Sequence, residues 1–327
     1  MKKLLTIFIV LTLWASGSLA SVNGYWFTTA SGSFVTTPGM VLGTANNDDE
    51  VFIDPAGIGL PPGSTGPGIP IGFTFNYNDN DCDIFGVNTN GWIVVGSGSI
   101  TVGSGTIPNQ NYVPISATGP TGFVNAISAL GMNLQSLTGA GQLCYLTDGV
   151  APFRVLIVQW TYYKYYGSTG SGDNFNFQIK LYETTNQIEF VYGNFTKNST
   201  TRYPQVGIRG ATNADFHNRT TTSNWANTAQ GTANNQTCVL STSIKPGNGL
   251  IFRFGPYYDF GDAPDIYFTK LVNNGARHTN TGLKMGPQID VEMDGQPNGT
   301  ATGDDLANLD DEDGVWWPFN FVPGMGT

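Results

Sequence analysis

Charge is what this chain of 327 residues has least of: Lys, Arg, Asp and Glu together make up 12%, about half the usual share for a soluble domain. Bases are scarcest, 14 against 24 acids for a net charge of −10. Phosphate binding needs a basic stripe, so nucleic acid is excluded as a partner. Histidine occurs twice, at His217 and His278, which leaves little imidazole for acid–base chemistry. The chain contains no GxSxG, HExxH, GxxxxGK[ST] or GxGxxG, the motifs that would announce a hydrolase, a zinc protease or a nucleotide site. Cysteine is limited to Cys82, Cys144 and Cys238, with no CxxC and no Cys/His pair at zinc spacing. Structural zinc is therefore not expected. An odd count allows one disulfide or none, and the pairing stays open.

Long apolar runs are also missing. The longest, Leu4 to Trp14, falls short of the about 20 residues that span a bilayer. It follows Lys2 and Lys3 and precedes Ser18-Leu19-Ala20, the layout of a secretory signal with small residues at its cleavage site. Residues 1–20 are thus read as a signal peptide, and the mature chain as exported to the surface or the medium with no transmembrane segment. Aromatics reach 13%, which together with the low charge argues against wholesale disorder.

From Ser21 to Pro256 the pattern is β. Ile71, Phe73, Phe75 and Tyr77 alternate with small or polar residues, as do Phe175, Phe177, Ile179 and Leu181. After Thr184-Thr185-Asn186, Ile188, Phe190 and Tyr192 continue the alternation, predicting a hairpin with one buried face. Val155 to Val158 is apolar throughout, like a central strand, and Leu250, Phe252 and Phe254 close the series. Only Phe123 to Gln135 has room for a short helix. Many strands separated by Gly, Pro, Asn and Ser clusters predict an all-β chain: a β-sandwich or jelly roll over 21–256, then an acidic, loop-rich module over 257–327.

The acidity is concentrated in that module. Asp259 to Asp313 holds twelve acids and three bases, a net −9, against −1 for the remainder. Asp290, Glu292 and Asp294 alternate ahead of Gly295, like the head of a calcium loop whose side-chain oxygens converge on one cation. Position twelve of that loop is Ala301, so the missing oxygens are expected from Asp304, Asp305, Asp311 and Asp313. Structural calcium is the cofactor this predicts; a solvated acidic loop is the alternative. Asp79, Asp81 and Asp83 repeat the alternation without the glycine and read as a polar inter-strand loop. His217 reads as a surface residue.

Trp160, Tyr162, Tyr163, Tyr165 and Tyr166 crowd one predicted strand. Aromatic rings stack on sugar faces and carry a polar handle, so these five are the candidate ligand-binding residues; a strand filling a large core is the competing reading. Glycoside hydrolysis needs only two carboxylates, and Glu183 and Glu189 flank the hairpin turn, although no ExDxxE arrangement is present.

Two resemblances bear on function. Asp259-Phe-Gly-Asp-Ala-Pro-Asp265, Gly275-Ala-Arg-His278, Asp290-x-Glu292-x-Asp294-Gly295, Ala301-Thr-Gly-Asp-Asp305 and Asp311-Glu-Asp-Gly-Val315 resemble the acidic segment of GEVED-type surface domains in exported proteins of Bacteroidetes, Planctomycetes and related bacteria. Pro70-Ile-Gly-Phe-Thr-Phe75, Asn88-Thr-Asn-Gly-Trp92 and Phe177-Gln-Ile-Lys-Leu-Tyr-Glu183 are similar to nidogen-like or lectin-like sandwich domains. The resemblance implies adhesion or matrix roles. In such relatives more β-domain follows the Asp-Glu-Asp-Gly block, so a chain ending at Thr327, twelve residues past Val315, is expected to carry a truncated module. The combined expectation is a non-catalytic secreted or surface protein that binds an extracellular glycan or surface protein. The alternatives are a secreted glycoside hydrolase using Glu183 and Glu189, and a filament or coat subunit that self-associates through a strand at Trp316 to Val322.

Overall fold

The computed structural model describes residues 21–44, 46–61, 63–101, 111–118, 124–167, 172–198, 200–278, 291–300 and 302–303. The expected signal peptide and the Trp316 to Val322 segment lie outside the described residues. Two eight-stranded antiparallel sheets form the body. The first runs in the order Trp26–Ser31, Leu250–Gly255, Ile188–Tyr192, Phe175–Tyr182, Val155–Tyr165, Gln142–Asp148 and Met40–Leu42, with Leu134–Ser136 also on Val155–Tyr165. The second runs Ala229–Gln230, Phe216–Thr220, Gln205–Arg209, Ala126–Gly131, Trp92–Gly96, Asn80–Asn88 and Val51–Phe52, with Ile69–Tyr77 on Asn80–Asn88. The all-β sandwich read from the alternation is what the chain forms.

Pleating explains the strands. Ile69, Ile71, Phe73, Phe75 and Tyr77 are buried while their even-numbered neighbours are exposed or half-buried, because successive side chains of a strand point to opposite faces. The Asn78-Asp79 turn that follows has φ of +55° and +56°, the left-handed pair of a tight hairpin. The two sheets share one core: Phe85 of the second meets Tyr145 of the first edge-on at 5.5 Å, and the Tyr192 hydroxyl donates to the Ala129 carbonyl at 3.0 Å.

The chain closes on itself. Trp26–Ser31 pairs with Leu250–Gly255 from Trp26 opposite Gly255 to Ser31 opposite Leu250. The Trp26 ring lies over Gly255 so closely that a Cβ there would sit 2.3 Å from it, and its indole donates to the Pro256 carbonyl at 2.9 Å. Phe252 on the last strand packs edge-on against Phe27 at 5.3 Å and Tyr192 at 5.4 Å and stacks on Trp225 at 6.2 Å.

Two expectations are corrected. The segment proposed as a short helix, Phe123 to Gln135, contains two strands, Ala126–Gly131 and the start of Leu134–Ser136. All six residues of the first are buried between Trp92–Gly96 and Gln205–Arg209, so burial on both faces removed the alternation that marks a strand. His217 is 2% exposed, not at the surface. It sits between Phe27 and Phe254 and accepts from Arg219 Nη1 at Nε2, 3.2 Å away. Burial, helped by the Arg219 charge, pushes its pKa down to about 4. All three cysteines are buried free thiols.

Truncating Phe252 to alanine is expected to cost about 3–5 kcal/mol of unfolding free energy, measured by denaturant titration. Val150→Ala, on a side chain 81% exposed, should change it by no more than about 0.5 kcal/mol.

Candidate functional site

The strand Val155–Tyr165 carries an irregularity that decides what the first sheet presents to solvent. Trp160 lies opposite Phe177, but the next pair is Tyr163 opposite Phe175. Three steps on one strand match two on the other, so one residue is extra: a β-bulge. The bulge falls at Tyr162, whose φ is +53°, a region where a bulky side chain is an outlier. Its amide donates to Asn176 Oδ1 at 3.0 Å and its carbonyl accepts from the Leu137 amide at 2.8 Å.

The extra residue separates the five candidate aromatics. Trp160 and Tyr163 both turn into the core at 0% exposure, Trp160 stacked on Phe177 at 4.9 Å with 11° between the planes. Their rings are enclosed, so the expectation that they meet a ligand is corrected: they fill the core. Tyr165 is partly buried under the Arg202 guanidinium, 3.6 Å from its ring centroid. Tyr162 and Tyr166 stay exposed, at 47% and 46%.

Tyr162 borders an open groove of about 600 Å³, within the range of about 300–1,000 Å³ of small-molecule sites. Residues 36–38 and 139–142 line it with Gln159, Thr161 and Tyr162. The 35–37 stretch is tied to the sheet by amides. Gln159 Oε1 accepts from the Thr37 amide at 3.0 Å and from Gln178 Nε2 at 2.7 Å, and Gln178 Nε2 also donates to the Val35 carbonyl at 2.7 Å. Near the 139–142 turn, the Gly141 amide donates to the Leu137 carbonyl at 2.7 Å and the Thr161 hydroxyl to the Gln142 carbonyl at 3.2 Å. No lining residue is charged. The groove offers hydroxyls, amides and one aromatic ring.

Residues 24–256 match the family model described as NIDO related. The chain belongs to the NIDO-related family. The matched span covers the sandwich from its first strand to its last, Trp26–Ser31 to Leu250–Gly255. No curated protein and no solved structure matches the chain significantly.

Within the NIDO-related domain the two hairpin carboxylates are each held by an arginine. Glu183 accepts from Arg154 Nε at 2.8 Å, from its amide at 3.0 Å and from Nη2. These bonds hold its carboxyl below its ordinary pKa. Glu189 accepts from Arg253 Nε and from the Tyr182 hydroxyl, both at 2.6 Å. Neither lines the groove. Asp81 accepts from Asn76 Nδ2 at 3.1 Å, and Asp79 is part of the hairpin turn.

Beyond the NIDO-related domain, Tyr258, Phe260 and Leu271 form a small buried cluster of their own. Glu292 and Asp294 serve as hydrogen-bond acceptors within that module. Glu292 exchanges backbone hydrogen bonds with Tyr258 at 3.1 and 2.7 Å, and its Oε2 accepts from the Phe260 amide at 3.1 Å. Asp294 Oδ1 accepts from the amides of Leu271 at 2.7 Å and Gly295 at 2.9 Å. The module touches the sandwich where Asn186 Nδ2 donates to the Tyr258 hydroxyl at 2.8 Å and Arg277 donates to the Thr184 carbonyl. Among the described residues no group of three or more His, Cys, Asp or Glu side chains is placed to hold a metal ion. Asp290, Asp304, Asp305, Asp311 and Asp313 lie outside the described residues.

Of the groove lining, Tyr162 stands out in the sequence, whereas Gln159, Thr161 and both walls do not. The signal available was parity: Gln159 and Thr161 alternate with the inward-facing Val158 and Trp160, so they had to face outward. Gln159→Ala is expected to cost about 1–3 kcal/mol by stranding buried donors. It should also speed hydrogen exchange at the Thr37 amide while leaving exchange at the Phe252 amide protected at low denaturant.

Proposed function

We propose that this NIDO-related protein works outside the cell as a non-catalytic adhesion or matrix component, and that its sandwich takes a neutral glycan in the groove beside Tyr162. The carrying observation is the chemistry of the lining: hydroxyl and amide groups with an exposed ring and no charge. A sugar presents hydroxyls that both donate and accept, plus C–H faces that pack on aromatic rings, and it needs no ionic partner. The net charge of −10 disfavours polyanions as ligands. Glycoside hydrolysis requires two carboxylates about 5–10 Å apart across the sugar, and the groove lining contains none. The likeness of the acidic blocks to GEVED-type modules supports the same surface setting. Among the described residues no helix is long and apolar enough to cross a membrane.

Calcium belongs to this reading through sequence alone, as the ion expected to relieve the carboxylate crowding between Asp290 and Asp313. Calorimetric titration of the mature chain should release or absorb heat at millimolar calcium and raise Tm; silence in both would remove calcium from the account.

The groove is tested by a substitution that spares the fold. Tyr162→Gly removes the ring and also relieves a left-handed backbone position that costs a non-glycine residue about 1–3 kcal/mol. Tm is therefore expected to hold or rise, while affinity for a neutral oligosaccharide found on a glycan array falls about tenfold. Tyr166→Ala should leave that affinity intact. Unchanged binding in Tyr162→Gly, or no binding of any neutral glycan by the parent chain, would overturn the proposal.

A further inference from the structure

The first described residues are held by a carboxylate whose visible donors are all neutral. Ser21 caps the 3-10 turn Val22–Gly24, and its hydroxyl donates to Asp215 Oδ1 at 2.6 Å. The Asn23 amide reaches the same oxygen at 3.3 Å, and Asn78 Nδ2 donates to Oδ2 at 3.2 Å. Asp215 itself is fixed by backbone bonds, its amide donating to the Thr212 carbonyl at 3.2 Å and its carbonyl accepting from the Gly210 amide at 3.0 Å. A Cβ on Gly210 would lie 1.9 Å from Asp215 Oδ2, so the carboxylate is seated where only a glycine leaves it space. None of the ion pairs among the described residues includes Asp215. A carboxylate accepts about four hydrogen bonds, so three neutral donors leave capacity for one more.

The segment below Ser21 is fully committed to the fold. Val22 is 0% exposed, the Asn78 amide donates to the Tyr25 hydroxyl at 2.9 Å, and Gln230 Nε2 donates to Asn23 Oδ1 at 2.9 Å. Trp26 then enters the first sheet. Ser21, by contrast, is exposed, and it directly follows the small residues Ser18 and Ala20 that mark a signal cleavage site.

We propose that the mature chain begins at Ser21 and that its new α-ammonium pairs with Asp215. The inference rests on the export reading. A signal peptidase adds water across the Ala20–Ser21 peptide bond, leaving a carboxylate on Ala20 and an amine on Ser21 that takes up a proton. The neutral amide thereby becomes a cation on the residue whose hydroxyl already bonds Asp215. Processing thus supplies a cation to a carboxylate that has no ion pair among the described residues and clamps the first strand to the loop that ends at Asp215.

The test is a double-mutant cycle between the terminus and Asp215. Terminal sequencing and intact mass of the exported protein should give Ser21 as residue one. In that form Asp215→Asn is expected to lower Tm by about 2–4 °C. In the same chain prepared with two alanines ahead of Ser21, the substitution should lower Tm by clearly less. A mature terminus elsewhere would overturn the processing half, and retention of the leader would also remove the export reading. Equal Tm losses in the two forms, with the Ser21 form released from a cleavable fusion if export fails, would overturn the ion pair on its own.

Discussion

Trp160 and Tyr163 must both face the core, yet they are three residues apart on a strand whose side chains alternate sides. That constraint can be met only by an extra residue, and the architecture of the first sheet follows from it. The bulge places Tyr162 in a left-handed backbone conformation with its ring outward. It also keeps Trp160 stacked on Phe177 and leaves Gln159 and Thr161 on the outer face. There Gln159 can hold the Thr37 amide and Thr161 can meet the 139–142 turn. The groove is a consequence of how the core aromatics are seated, which couples the proposed binding surface to the packing beneath it.

Much of the sandwich was legible because its strands are half-buried and therefore alternate. Ile71 to Tyr77 is such a strand; Phe175 to Leu181 also forms where its alternation of apolar and polar residues puts it, although its Asn176 and Gln178 are covered as well. Ala126–Gly131 was not legible, because a strand buried on both faces has no period of two to read. His217 was misjudged for a related reason: a polar side chain in a polar stretch gives no sign that Phe27 and Phe254 will close over it. The aromatic cluster was located but not sorted, since a bulge reverses side-chain parity without leaving a mark in composition. The groove walls come from residues 36–38 and 139–142, more than a hundred apart in sequence, and only the sheet order brings them together.

The acids divide into two populations with different physics. Inside the NIDO-related domain Glu183 and Glu189 are bound to arginines, and Asp215 is surrounded by neutral donors. These carboxylates brace turns and strand ends. Past Pro256, Glu292 and Asp294 hold backbone amides around the small cluster of Tyr258, Phe260 and Leu271. Neither population puts a charged side chain in the groove lining, and the proposed preference for a neutral, hydroxyl-rich ligand rests on that.

The most direct measurement of the central claim is an amide-resolved NMR titration of the mature chain with a neutral oligosaccharide. The account predicts saturable shifts concentrated at Thr36, Thr37, Gly139 to Gln142 and Tyr162. Shifts centred on another face, or a spectrum that does not change at saturating sugar, would contradict it.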